Sequence, residues 1–266
     1  ALSDQMVANG QTPWCHWMFS GGATGWLGTD WIEDLLLSAE GPAVYDAWVA
    51  HDVVFQDPRV EQAFTQFMFM VNTDGYTFLR DFVTGIFFGF NAYPLADEEC
   101  LMHRQASFFA SFITGEGFDV ADFDTFGFPP VDPAHDDAVM GGGDYVAALD
   151  QSNDVKRVVQ FLTSAQFGRS VIAPQGADLG WILPHARFNL VSYGSELSRS
   201  WAELAKAAIL ADQFRFDGSD LMPPVVGSWA DEGVPGAFWT GIVDLLDGIR
   251  TLPEVLADID AAWPTP

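Results

Sequence analysis

Short, dense apolar runs alternate along this chain with longer stretches of helical period, and that alternation is the strongest constraint on how it can fold. "TPWCHWMF" (12–19) has the density of a buried strand and leads into a glycine-rich loop, "SGGATGWLGTD" (20–30). "CLMHRQASFFASFI" (100–113) reads as a strand running into a turn or helix, and "DFDTFGFPPVDP" (122–133) as a half-buried strand leaving the core. "AVMGGGDYVAALDQ" (138–151) reads as two strand pieces around a bend. Between them lie the helices. Residues 1–9 look helical and stop at Gly10. Asp30, with Glu33 three residues on, resembles a capping box for the helix that follows, which Gly41-Pro42 interrupts. Asp57 and Pro58 open another helix over 57–73. Residues 152–172 and 196–214 carry strong amphipathic period, and "AFWTGIVDLLDGI" and "LPEVLADIDAAW" close the chain as a helical pair. Strands alternating with helices specify an α/β protein.

Charge excludes several partners. The chain has 37 acidic against 11 basic residues, a net charge of −26. Nucleic acid and anionic membrane surfaces require clustered Lys and Arg, which are absent. No run reaches the ~18 apolar residues of a membrane span; "FVTGIFFGF" (82–90) is too short. The opening "ALSDQMVANG" has neither an initiator Met nor a signal-peptide pattern, so the expectation is a processed protein or a fragment. The two cysteines, Cys15 and Cys100, fit equally well a disulfide in an exported protein or two buried thiols.

Familiar catalytic patterns are missing. There is no P-loop, dinucleotide fingerprint, HExxH, CxxC or GxSxG in the sequence. His16 and His103 lie near the cysteines, but two thiols and two imidazoles on apolar segments more often pack than bind metal; no metal and no cofactor is expected. The carboxylate pairs Asp30/Asp34, Asp136/Asp137 and Asp217/Asp220 are the raw material of a glycosidase, but with 37 acids such pairs arise by chance. "DGSD" (217–220) hints at calcium without the full loop and reads as a turn.

What remains is a pattern of rings. Trp26 follows "SGGATG", Phe108 follows "HRQAS", Tyr145 follows "GGGD" and Trp239 follows "PGAF". Each sits where an irregular stretch meets a regular element, the place α/β proteins reserve for ligands. Sugars suit such a site, because their C–H faces stack on flat rings while fixed polar groups hold their hydroxyls.

The segments "PWC", "SGGATGWLGTDWIEDLLL", "CLMHRQASFFASF", "FRFDGSDLMP", "GAFWTGI" and "LADIDAAWP", in this order, resemble the substrate-binding proteins of ABC sugar importers, in particular the alpha-glucoside-binding type. The resemblance implies a periplasmic-binding-protein type II fold, here mainly the C-terminal lobe with part of the N-terminal lobe and hinge. Family members are longer, so most of an N-terminal lobe and the signal peptide are expected to be missing. It implies three parts: 1–135 as C-terminal-lobe elements with cleft loops, 136–195 as a hinge crossing with N-lobe-derived segment, and 196–266 as the helical end of the second lobe. It implies binding without catalysis, an alpha-glucoside or related oligosaccharide as ligand, and delivery to ABC permease transmembrane subunits. A monomer in the periplasm or outside the cell, or lipid-anchored at the cell surface, is the corresponding state. The ligand contacts carried over are Trp239 as stacking platform, Phe108 as a second ring, Thr24 and Trp26 in the cleft loop, Gly143 and Asp144 for hydroxyls, and Arg104 and Gln105. The resemblance also favours a Cys15–Cys100 disulfide. "SWADEGVPG" (228–236) is a longer approach to Trp239 than relatives have. A carbohydrate-active enzyme using paired cleft carboxylates and a non-binding interaction protein are the alternatives.

Overall fold

A computed structural model describes residues 2–264 apart from 176–179, 184, 186 and 232. Seven helices organise it: α1 (Leu2–Ala8), α2 (Trp26–Val49), α3 (Pro58–Asn72), α4 (Asn153–Leu162), α5 (Glu196–Leu210), α6 (Ala237–Leu246) and α7 (Leu252–Ala262). Shorter helical turns fill the gaps between them. The named strands are brief: β1 (Val139–Gly141) beside β2 (Phe214–Phe216), and β3 (Trp229–Asp231) antiparallel to β4 (Val234–Pro235). The chain divides into two compact units. One comprises Ala1–Gln105, Phe128–Met140 and Gln213–Pro266; the other comprises Ala106–Gly127 and Gly141–Asp212.

The first unit is built on the segment at 12–19. It does not form a long strand; it pairs in parallel through single bridges, Trp14 with Thr77 and with Met102, and Phe19 with Phe87. Pro13 and Cys15 bond to Met102, and Trp14 to Tyr76 and Phe78. Cys15 and Cys100 are joined in a disulfide with their Cα atoms 5.5 Å apart, closing a separation of 85 residues. The sequence read this region as β because its apolar density is that of a buried strand, and buried it is: Cys15, His16, Trp17 and Met18 are all inside.

Around this segment pack α2, α3, α6 and α7. From Leu27 to Ser38 every residue of α2 is buried, as expected for a helix surrounded on all sides. Its second half turns at Gly41, whose φ of 78° breaks the helix just before Pro42. A side chain at Gly41 would also run into the His135 ring. Helix α3 starts where the sequence placed it, Asp57 accepting from the Arg59 N–H with Pro58 at the first position. Trp48, Phe55 and Phe238 form an edge-to-face cluster with centroids 5.1–5.9 Å apart. Gly28 and Gly241 let α6 approach α2 and α7: a Cβ at Gly28 would strike Ile242, and one at Gly241 would strike Val255. Asp260 of α7 accepts from His51 Nε2 and from the backbone N–H groups of Phe55 and Gln56, pinning the turn between α2 and α3.

Three sequence expectations are corrected here. Asp30 does not cap α2: the helix begins four residues earlier, at Trp26, and Asp30 and Glu33 lie inside it and buried. Residues 122–133 form no strand but irregular, mostly exposed chain with short turns. Of the two strand pieces expected over 138–151, only β1 is present. The physical reason is shared by the last two: dense Pro and Gly remove ladder donors and side-chain packing, so the alternating pattern has no partner strand to meet.

The second unit has its own core of Ile172, Ala173, Leu183, Phe188, Tyr193 and Ala202. The Tyr193 hydroxyl accepts from the buried Leu183 N–H at 2.8 Å. Helix α4 ends at Leu162, and the expected long amphipathic helix resumes after Ser164 as a short turn and a wide π-helical turn over Gly168–Ile172. Helix α5 begins at a Ser195 cap, and Trp201 donates to the Thr125 hydroxyl at 2.8 Å. No helix among the described residues is long and apolar enough to cross a membrane.

Candidate functional site

The first unit brings three of the expected contact residues to one place. Thr24 shapes the loop before α2: its hydroxyl accepts from the Ser20 N–H at 3.0 Å and donates to the Gly21 carbonyl at 2.6 Å. Gly25 follows with φ 119°, a conformation open to glycine, and a Cβ there would collide with the Trp239 carbonyl. The loop therefore docks directly on the first turn of α6. Trp26, the first residue of α2, is half-buried with its ring edge-to-face on Phe88 at 5.4 Å. Trp239 stands in the first turn of α6 after the Gly236 cap, and the pair Phe238-Trp239 divides its work. Phe238 is wholly in the core, while Trp239 retains 7% exposure, with an indole N–H that has no acceptor among the described residues.

A further ring completes the group, and the sequence did not single it out. Trp229 on β3 lies edge-to-face on Trp239 with centroids 5.4 Å apart and planes at 82°. It is 43% exposed. Its outer edge lies over Gly22, where a Cβ would be 3.0 Å from Cη2. The available signal was the long "SWADEGVPG" approach, which was read as a change in spacing rather than as the bearer of a ring.

Arg104 and Gln105 lie elsewhere in the unit's architecture. The Arg104 guanidinium is the counter-ion of α2: Nε and Nη2 contact Asp34 Oδ2 and Nη1 contacts Asp30 Oδ2, each at 2.7 Å. Burial pushes both carboxyls above their ordinary range, Asp30 to about 7, although Arg104 opposes it. The two carboxylates in turn hold Arg104 charged above its ordinary value, against the opposing effect of burial. With its nitrogens spent on two internal carboxylates, Arg104 ties α2 to the 100–105 segment and has little left for a ligand. Gln105 is half-buried at the end of this unit. Phe108, Gly143 and Asp144 belong to the second unit. Phe108 is half-buried, 6.2 Å from Phe112, and Gly143 and Asp144 lie in exposed irregular chain.

Two of the three carboxylate pairs have structural employment. Asp30 and Asp34 share Arg104. Asp217 caps the turn over Gly218–Leu221, accepting from the Asp220 N–H and the Ser219 hydroxyl, so "DGSD" is a capped turn. Glu33, fully buried, receives the Gly218 and Ser219 N–H groups and the Tyr45 hydroxyl at 2.7–3.0 Å. Burial drives its carboxyl upward, aided by the charges of Asp217 and Asp30, and the Gly218 N–H and Tyr45 hydroxyl work against that. His16 and His103 are pushed down by burial, to about 3 and about 4, and stay neutral. His103 bonds the Cys15 carbonyl through Nδ1. Among the described residues no three of His, Cys, Asp and Glu converge as a metal site.

A groove of about 450 Å³ also opens in the first unit between the β3–β4 hairpin, α6 and α7. It is lined mainly by small apolar residues, with the Arg250–Asp258 ion pair beside it.

The α/β architecture is that of the periplasmic solute-binding receptors. Among solved structures it superposes on a chitin oligosaccharide binding protein with a TM-score of 0.72, at 14% identity, over 97% of this chain and 61% of that one. It also matches the bacterial solute receptor AcbH, described as having an exclusive preference for β-D-galactopyranose, with a TM-score of 0.65, at 19% identity, over 98% of this chain and 61% of that one. In sequence the chain is 34% identical over 274 residues to the osmoprotective compounds-binding protein GgtB of Synechocystis. It is 31% identical over 277 residues to the alpha-glucosides-binding periplasmic protein AglE of Rhizobium meliloti. Both alignments take in 99% of this chain and 60% and 55% of the relatives, so the chain spans under two thirds of the curated relatives it matches. No family model matches. The resemblance read from the sequence thus extends along nearly the whole chain, and the relatives are named as binding proteins.

Proposed function

We propose that this protein is the ligand-binding part of an ABC sugar receptor. It holds an alpha-glucoside or related oligosaccharide in a cleft between two lobes and hands it to the transmembrane subunits of an importer. It works as a monomer in the periplasm or outside the cell and leaves the sugar chemically unchanged. The observation that carries this reading is the 34% and 31% identity, along 99% of the chain, to two proteins named for binding osmoprotective compounds and alpha-glucosides. The grouping of Thr24, Trp26 and Trp239 around one glycine-hinged loop supports it, because flat rings beside a fixed polar loop are what a sugar's two kinds of surface require. On this reading the three-part lobe assignment (1–135, 136–195, 196–266) describes the parent receptor, and Phe108, Gly143, Asp144 and Gln105 are further ligand contacts. Arg104 contributes by positioning the 100–105 segment.

Isothermal titration calorimetry with maltose, trehalose, sucrose, glucose and galactose tests it. A saturable heat with an alpha-glucoside is expected, and Trp239→Ala should weaken it by about 1–3 kcal/mol, about fivefold to 150-fold in Kd. Circular dichroism confirms that the variant is folded. No saturable heat with any of these sugars, or a folded Trp239→Ala with unchanged affinity, overturns the reading.

A further inference from the structure

If Trp239 is a stacking platform, it is a covered one. A ring with 7% exposure cannot receive a pyranose face until something beside it moves. The most exposed group packed on it is Trp229, which sits edge-on at 5.4 Å with 43% of its surface open to solvent. The strand bearing Trp229 is weakly held. Among the described residues β3 pairs with β4 at Trp229–Pro235 and Asp231–Val234, with an irregular register between them. Gly236, the α6 cap, bonds back to the Ser228 carbonyl at 2.6 Å, so hairpin and platform share a stem. Gly22 lies close against the Trp229 ring, where a Cβ would come within 3.0 Å of Cη2. The Trp239 N–H is buried beside this contact without an acceptor among the described residues, and a donor in that state gains when a hydroxyl arrives.

We propose that Trp229 is an internal stand-in for the sugar: it occupies the position against Trp239 that a ligand ring takes. Binding then exchanges one ring for another, with a sugar hydroxyl accepting from the Trp239 N–H. This rests on the sugar-receptor reading above. The cost follows from two-state arithmetic: the apparent affinity is the intrinsic one reduced by the fraction of molecules with Trp229 displaced. Trp229 therefore sets sensitivity to sugar, and the loop that holds it at Gly22 sets it too.

Calorimetric titration of this chain with the best-bound alpha-glucoside tests the exchange. An edge-to-face pair of this kind is worth a roughly twofold to tenfold change in affinity. Trp229→Ala should tighten binding by that factor. Trp229→Leu, which keeps an apolar side chain on β3 but removes the indole edge from Trp239, should tighten it in the same direction, and it decides the matter if Trp229→Ala does not fold. Binding that weakens or stays unchanged in the folded variants, while Trp239→Ala still weakens it, overturns the exchange and leaves the receptor reading standing. Unchanged affinity in a folded Trp239→Ala overturns the receptor reading instead.

Discussion

Replacing Arg104 with Met removes one guanidinium from between two carboxyls and changes little else in volume. In the native protein three guanidinium nitrogens lie 2.7 Å from Asp30 or Asp34, and the three side chains are 7–12% exposed. So deep a cluster is screened little by salt. Breaking a buried pair by removing one partner costs about 3–5 kcal/mol, and here two acids are left facing an apolar side chain. The pH dependence follows from the direction of the shifts. Burial already raises Asp30 and Asp34, and losing Arg104 raises them further. A carboxyl raised in the folded state keeps its stability contribution below the unfolded value near 4 and loses it as pH climbs through the folded pKa. The deficit of Arg104→Met relative to the native protein should therefore be smaller at pH 5 than at pH 8. It should grow by about 1.4 kcal/mol for each additional unit of upward shift. Urea unfolding followed by circular dichroism at the two pH values measures it, and Arg104→Lys, which keeps the charge without the planar fork, should fall in between. A deficit under about 1 kcal/mol at both pH values, or one larger at pH 5, would refute the assignment of Arg104 as the buried counter-ion.

Other consequences are open to direct measurement. Reducing the Cys15–Cys100 disulfide, or replacing both residues with Ala, should cost roughly 4–5 kcal/mol on the chain-entropy model for so long a loop, seen as a lower melting temperature with dithiothreitol. Asp260→Ala strips an acceptor from His51, Phe55 and Gln56 and should cost about 2–3 kcal/mol, read by denaturant midpoint. Gly25→Ala places a methyl on the Trp239 carbonyl in a left-handed backbone and should destabilise by more than about 1 kcal/mol, whereas Gly10→Ala, which meets nothing, should cost only its backbone strain.

The helices were the most legible part of the fold, because their signals are local. Asp57 with Pro58, the Gly41-Pro42 break and the closing pair α6 and α7 were all readable within a few residues. Helix α2 shows where that locality misleads. Asp30 and Glu33 have the spacing of a capping box, but the partners that make them tolerable inside a buried helix, Arg104 and the Gly218 turn, lie far away in sequence. The extended core was legible by density and not by pairing, since 12–19 finds its neighbours at 76–78 and 101–102 through single bridges. In the candidate site, the glycine loop and Trp239 followed from their motifs. The role of Arg104 as an internal counter-ion and the presence of Trp229 against Trp239 required the third dimension, because neither contact has a sequence spacing that marks it.

The chain passes four times between its two compact units, and this fixes the order in which the molecule can be made. Helix α2, buried on every side over its first half, is made well before the α6 side chains that shield it, Phe238 and Ile242. Through most of synthesis the first unit is an open half-core, with Trp48 and Phe55 awaiting their partner, so a chain stalled before α6 is a sticky one. Cys15 and Cys100, by contrast, are both present before α6 is made. Oxidation can fasten the extended centre and the loop bearing α2 and α3 before α6 and α7 arrive, giving a newborn chain a fixed point around which the late segments assemble.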